Sequence, residues 1–244
     1  MRVDSLALQM RPRSPHEAAD LGVRLCQATA REIYPCWFAV AIPMAVIAAS
    51  TYEIAVWLPS LVMWCAKPWL DRTVLFVLSR AAFGQRTSVR DLWDEQRSVL
   101  WRQFLLTWTW RRLSPWRSLT QPVYQLEGHR FFALRQRVAQ IRRRYGGAAW
   151  AMTTAFSFAE IALCGAFMSL GFWFSPPEQD FDPTLILAAD GYQFIQIVAI
   201  ASYLVTVLFL EPFYVAAGFG MYLNRRAELE AWDIEQEFRR AFAR

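Results

Sequence analysis

The feature that most constrains this chain is the grouping of its apolar residues. They form runs around 33–50, 54–66, 148–174 and 191–223, with charged stretches between. A soluble core spreads apolar residues at helix or strand period. Long unbroken runs instead match segments that cross a bilayer, where ~20 residues rising 1.5 Å each span ~30 Å of hydrocarbon. Of the 244 residues, 55% are apolar and only 19% charged, against about a quarter charged in an ordinary soluble domain. A disordered chain, a small disulfide scaffold and a soluble nucleic-acid-binding domain are excluded. The expected fold class is all-α: a polytopic membrane protein with four transmembrane helices plus amphipathic cytoplasmic helices.

The charges set the expected orientation. Of the 26 basic residues, five lie in 1–32, sixteen in 67–147 and five from Asn224 to Arg244. The connections 51–53 and 175–190 hold none, yet carry Glu53, Glu178, Asp180, Asp182 and Asp190. Basic residues near span ends collect on the cytoplasmic side. Arg24 and Arg31 precede the first run, and Lys67 and Arg72 follow the second. Arg142, Arg143 and Arg144 precede the third, and Arg225 and Arg226 follow the fourth. Both termini and residues 71–147 are therefore expected in the cytoplasm. The net charge of +5 suits a membrane surface rather than nucleic acid. Cys26, Cys36, Cys65 and Cys164 form no CxxC pair, and none falls in an outside loop, so free thiols are expected. The first 32 residues lack the order of a cleaved signal peptide.

Five segments follow: a cytoplasmic amphipathic helix within 1–32, a transmembrane hairpin over 33–70, a cytoplasmic helical region over 71–147, a second hairpin over 148–223, and a cytoplasmic C-terminal helix over 224–244. Ser14-Pro15-His16-Glu17 predicts a capping box. Ala18, Leu21, Gly22, Leu25 and Thr29 then share a face, which predicts a helix lying on the inner membrane surface. In the middle region, Thr73–Phe83 continues to a stop at Gly84. Ser88-Val89-Arg90-Asp91 starts an amphipathic helix carrying Val89, Leu92, Trp93, Val99, Leu100, Phe104 and Trp108. Ser114-Pro115 and Gln121-Pro122 predict a loop, and a helix near Arg130–Tyr145 ends at Gly146-Gly147. After Asn224, Leu229, Trp232, Ile234, Phe238 and Phe242 predict a helix docked on the cytoplasmic region.

The first span, Ile33–Ser50, carries Ala41, Ala45 and Ala49 at four-residue steps, which either admit a close helix neighbour or merely reflect a small-residue-rich span. The second, Ile54–Ala66, is short. It crosses if Lys67 snorkels and Trp69 and Leu70 extend it, with Asp71 partly neutralising Lys67. The alternative is a re-entrant hairpin over 33–66. The third, Ala148–Phe174, is bounded by Trp150 and Trp173. The fourth run, Gly191–Leu223, would be about 48 Å as one helix, so tilt and a kink or break at Pro212 are expected.

Two carboxylates, Glu160 and Glu211, fall in the spans, each about 12 residues from its cytoplasmic boundary. They are expected at one depth inside the bundle, because ionisable groups in hydrocarbon are costly, and one reading has them share a proton or a cation. The alternative is structural: a neutral carboxyl hydrogen-bonded to Ser, Thr or a freed carbonyl, such as that of Leu208, one turn before Pro212. Arg135, Arg137, Arg142, Arg143 and Arg144 suit anionic lipid headgroups. The only histidines, His16 and His129, join no ligand spacing. No phosphate-binding glycine loop or nucleophile elbow is present. No catalytic residue, metal or cofactor is expected.

Several strings together carry a resemblance: Arg11-Pro12-Arg13-Ser14-Pro15-His16-Glu17-Ala18-Ala19-Asp20-Leu21-Gly22, Lys67-Pro68-Trp69-Leu70-Asp71-Arg72 with Ser79-Arg80-Ala81-Ala82-Phe83-Gly84, and Glu211-Pro212-Phe213-Tyr214-Val215-Ala216-Ala217-Gly218-Phe219 with Tyr222-Leu223-Asn224-Arg225-Arg226. The chain resembles a proteobacterial inner-membrane family whose genes neighbour those of MoxR-type AAA ATPases, von Willebrand A-like proteins and transglutaminase-related proteins. It is similar more remotely to the membrane domain of some glycerophosphodiester phosphodiesterases, without their catalytic domain. The family brings no activity to transfer. The resemblance implies the inner membrane and a place in an envelope-associated assembly, as a non-enzymatic component. Its partners would be the bilayer, anionic lipids, and other membrane proteins or further copies of itself. A small-solute or ion translocator using Glu160 and Glu211 is the second reading, and a membrane-embedded enzyme the third.

Overall fold

A computed structural model describes residues 13–101, 114–128, 131–173 and 189–230. Phe104, Trp108, His129, most of the 175–190 connection and the tail beyond Glu230 lie outside the described residues. Among those described the fold is all-helical: α1 (Pro15–Ala28), α2 (Ala30–Ser50), α3 (Leu58–Ala81), α4 (Val89–Asp94), α5 (Arg117–Leu126), α6 (Phe131–Trp173) and α7 (Ala189–Glu230). A 3₁₀ turn, Thr51–Glu53, and a π-helical turn, Arg97–Trp101, complete it. Three stretches are long and apolar enough to cross a membrane: Ala30–Glu53, Phe132–Leu170 and Gln193–Glu230. α3 is long enough, but Lys67, Asp71 and Arg72 break its apolar run.

The capping chemistry is as the residues require. Ser14 Oγ accepts from Glu17 N at 3.3 Å while Ser14 N donates to the Glu17 carboxylate at 3.2 Å. Ser88 and Asp91 repeat the arrangement at α4. These donors hold the Asp91 carboxyl below the usual carboxylate range. Gly84, at φ +71°, closes the α3 region in the left-handed conformation that glycine adopts without strain. All four cysteines are free, and burial pushes the Cys26 thiol up to about 12.

Two helices run through positions read as breaks. α6 continues through Gly146-Gly147. Trp116 packs there: its indole Nε1 donates to the Gly146 carbonyl at 2.9 Å. α7 continues through Pro212. The Leu208 carbonyl, which that proline leaves without its helical donor, accepts from Trp37 Nε1 at 2.9 Å, and the Phe209 carbonyl accepts from Tyr34 Oη at 3.2 Å. The supposed loop at Gln121-Pro122 is α5. Gln121 and Gln125, one turn apart, donate to the Pro68 and Arg72 carbonyls of α3 at 2.7 and 3.0 Å. Those two contacts fasten α5 along α3 despite its internal proline.

The exposure pattern divides the molecule. Phe38, Ile42, Val46 and Ile47 of α2, Leu61 and Trp64 of α3, Phe158, Ile161 and Leu170 of α6, and Ile197, Val205 and Phe209 of α7 form an exposed apolar belt. Beyond it every residue from Glu211 to Asn224 on α7 except half-buried Phe213 is buried, as is nearly all of α3 from Ala66 to Ser79. α1 and α5 sheathe that half. A Cβ on Gly22 would stand 2.0 Å from the Ala216 carbonyl oxygen, and one on Gly220 2.2 Å from that of Ala18. The small face of α1 therefore packs on α7, not on lipid. The buried α2 stripe is Ala41, Ala45 and Ala48, with Ala49 exposed.

Gly22→Ala is expected to destabilise the protein by about 1–3 kcal/mol, the usual cost of overpacking. Gly147→Ala, whose Cβ meets nothing within 4 Å, should be neutral or gain up to ~1 kcal/mol in a helix interior. Thermal unfolding in detergent checks the pair. Equal effects would contradict the close crossing.

Candidate functional site

At the junction between the belt and the sheathed half, five side chains from four helices line up with alternating charge. Glu160 of α6 accepts from Lys67 Nζ of α3 at 2.6 Å. Lys67 also meets Glu211 of α7 at 3.2 Å. Glu211 binds Arg117 of α5, and Arg117 faces Asp71 of α3 at 3.2 Å. Lys67, Asp71 and Glu211 are all buried. Lys67 also sits 5.6 Å from the Tyr203 ring centroid and Arg117 5.1 Å from that of Tyr214, favourable positions for cations over aromatic faces.

The local sequence explains the placement. Lys67 and Asp71 are four apart, so they share a face of α3. On that face Glu211 stands between them and Arg117 closes the far end. Lys67 therefore does not snorkel toward water. It turns inward, and its partners are Glu160 and Glu211 rather than Asp71. The cation shared by the two carboxylates is this ammonium. The boundaries of the two apolar runs that hold these carboxylates are part of the packed protein. Ala149 and Asn224, next to the boundaries used, are themselves buried in protein. Asn224 exchanges hydrogen bonds with the Arg13 backbone at 2.8 and 3.3 Å and donates to Tyr145 Oη at 2.6 Å. The exposed part of α7 from Gln193 to Leu210 rises about 27 Å, so the charge chain sits at the end of the apolar belt rather than at its middle.

A cavity of about 300 Å³ adjoins the chain. It is lined by Lys67, Arg117, Glu160 and Glu211, by Thr153 and Ser157, and by the rings of Trp64, Phe156 and Tyr214. Among the described residues no group of His, Cys, Asp and Glu is arranged to hold a metal ion.

The arginines of α6 part company. Arg137 pairs with Glu127 at 2.7 Å and with Glu230. It is a partly buried link to the end of α7 instead of a lipid contact. Arg144 lies 3.4 Å from Glu228, and Arg142 stacks 4.4 Å above Trp116. Arg135 and Arg143 are exposed. Through Glu230 the segment after Asn224 is simply the end of α7, and Glu228 accepts from Tyr145 Oη at 2.7 Å. Arg117 was not singled out in the sequence, because nothing local marks a residue whose partners lie 46 and 94 positions away.

No family model, characterised protein or solved structure matches this chain.

Removing one member of a buried ion pair strands the other, at a cost of about 3–5 kcal/mol. Lys67→Met should therefore lower stability by that order. Adding Glu160→Gln should recover part of the loss, since Glu211 keeps Arg117. A double variant no more stable than Lys67→Met, in thermal unfolding, would contradict the shared ammonium.

Proposed function

We propose that this is an integral inner-membrane protein of four crossings, with both termini and residues 71–147 cytoplasmic. In this reading it is a non-enzymatic component of an envelope-associated membrane assembly. The observation that carries the proposal is the exposed apolar belt ending at a charge chain of alternating sign. An exposed apolar surface of this extent is the mark of a lipid or protein interface, and below it the helices are sheathed by α1 and α5. The α3 crossing is supported by its return along α2. Thr87 N, just past α3, donates to Glu32 at the start of α2 at 3.1 Å, so the two helices form an antiparallel hairpin whose ends meet.

The sheathed half supplies the contact surface for partners or for a second copy. Exposed Arg135, Arg142 and Arg143 suit anionic headgroups, a narrower set than the five arginines of the sequence. The cavity beside Glu160 and Glu211 favours a second reading, a small-solute or ion translocator. Solute-dependent flux across proteoliposomes is the property that reading requires and the first does not.

Reporter fusions after Arg90 and after Glu178 should give opposite sidedness, with the Arg90 fusion cytoplasmic. The protein should also remain in membranes washed with alkaline carbonate. The same sidedness for both fusions would overturn the four-crossing topology, and release by carbonate would overturn the membrane reading.

A further inference from the structure

The cavity beside the charge chain has a donor and acceptor balance that selects its ligand. Its two cations are already committed, Lys67 to Glu160 and Glu211, and Arg117 to Glu211 and Asp71. An arriving anion would meet the carboxylates of Glu160 and Glu211 beside them. Two of its hydroxyls are committed as donors too. Ser157 Oγ donates to the Thr153 carbonyl at 2.9 Å, and Thr153 Oγ1 lies 2.7 Å from the Pro115 carbonyl and 2.9 Å from that of Ala149. A hydroxyl that has given away its one hydrogen offers only lone pairs. Glu160 meets Lys67 through Oε1, and its side chain is 25% exposed, against 5% for Glu211. Its other oxygen is a further acceptor. The chain itself holds three carboxylates against two cations. A positively charged hydrogen-bond donor would meet these acceptors.

Position adds the second half of the argument. Trp64 and Ser157 are exposed members of the lining. Both adjoin the apolar belt, beside Leu61, Phe158 and Ile161. A ligand reaching the cavity from that side brings an apolar body along the belt and a polar head inward. Trp64 and Phe156 line the cavity beside that head, and aromatic faces attract cations, ammonium groups included. A volume of about 300 Å³ holds a headgroup and not a whole lipid, since drug-sized ligands occupy roughly 300–1,000 Å³.

We propose that this cavity binds the primary ammonium headgroup of a membrane amphiphile, with Glu160 and Ser157 as its hydrogen-bond acceptors and Trp64 at its mouth. The site takes the amine from the bilayer, laterally. The proposal rests on the membrane reading above. Resistance to carbonate extraction tests that reading separately, so the two can fail independently.

The experiment is native mass spectrometry of the full chain, released from detergent with phosphatidylethanolamine or phosphatidylglycerol at matched concentration. A parallel arm uses free ethanolamine. The wild type should retain phosphatidylethanolamine at least tenfold more tightly than phosphatidylglycerol, with no adduct from free ethanolamine. Glu160→Gln should remove that preference while leaving phosphatidylglycerol retention unchanged. Ser157→Trp, which fills the cavity without touching an ion pair, should do the same and keeps the test valid if Glu160→Gln fails to fold. Equal retention of the two lipids, a preference for phosphatidylglycerol, or an unchanged preference in Ser157→Trp overturns the proposal. Retention of free ethanolamine as tight as that of the lipid overturns its lateral, amphiphilic part.

Discussion

Charge in an apolar protein interior survives only when it is paired, and here the pairing runs through four helices. Glu160, Lys67, Glu211, Arg117 and Asp71 alternate in sign, so each interior member has two neighbours of opposite charge. Taking such groups out of water costs several kcal/mol per ion, and the attraction between them offsets that cost only with good geometry. The net contribution to stability is therefore modest. The contribution to specificity is larger, because α3, α5, α6 and α7 can pack in only one register without stranding a charge.

The same chain marks where the molecule changes character. On one side the helices expose Phe, Ile, Leu and Val. On the other, α1 and α5 cover α7 so closely that Gly22 and Gly220 have no room for a Cβ. This resolves the excess length of α7. Its 42 residues are too many for one bilayer crossing, but the second half is a core helix of a packed body and never needs lipid. On the long α6, Ile141, Tyr145, Ala149 and Met152 form a buried stripe, while Trp150, Phe158, Ile161 and Leu170 are exposed. Glu127, Arg137, Glu230, Tyr145 and Glu228 then tie the far ends of α6 and α7 together.

Local chemistry was legible in the sequence where it is settled within a few residues. The Ser14–Glu17 and Ser88–Asp91 boxes, the Gly84 turn and the apolar character of three long helices all rest on short-range rules. So did the freed Leu208 carbonyl. Its partner did not, because Trp37 is 171 positions away. Gly146-Gly147 and Gln121-Pro122 carry the usual signatures of chain breaks, and tertiary contacts overrode both. Trp116 donates to the Gly146 carbonyl, and Gln121 with Gln125 holds α5 on α3. Glu160 and Glu211 were legible as a pair, since carboxylates in apolar runs stand out. Lys67 was misassigned to Asp71 by its i,i+4 spacing, and Arg117 gave no local signal. Which cation meets which anion is decided by helix packing rather than by neighbours in the chain.

The direct test of this account is a double-mutant cycle on Arg117 and Glu211, the pair that fastens α5 to α7. Arg117→Met, Glu211→Gln and the double variant are compared with the parent by reversible unfolding in one detergent. Groups in contact within one ion-pair network couple by ~0.5–3 kcal/mol, whereas independent sites add within ~0.3–0.5 kcal/mol. The account predicts a coupling of about 1 kcal/mol or more, with the double variant less damaged than the sum of the singles. Additive effects, within that smaller margin, would contradict the charge chain as the element on which the packing depends.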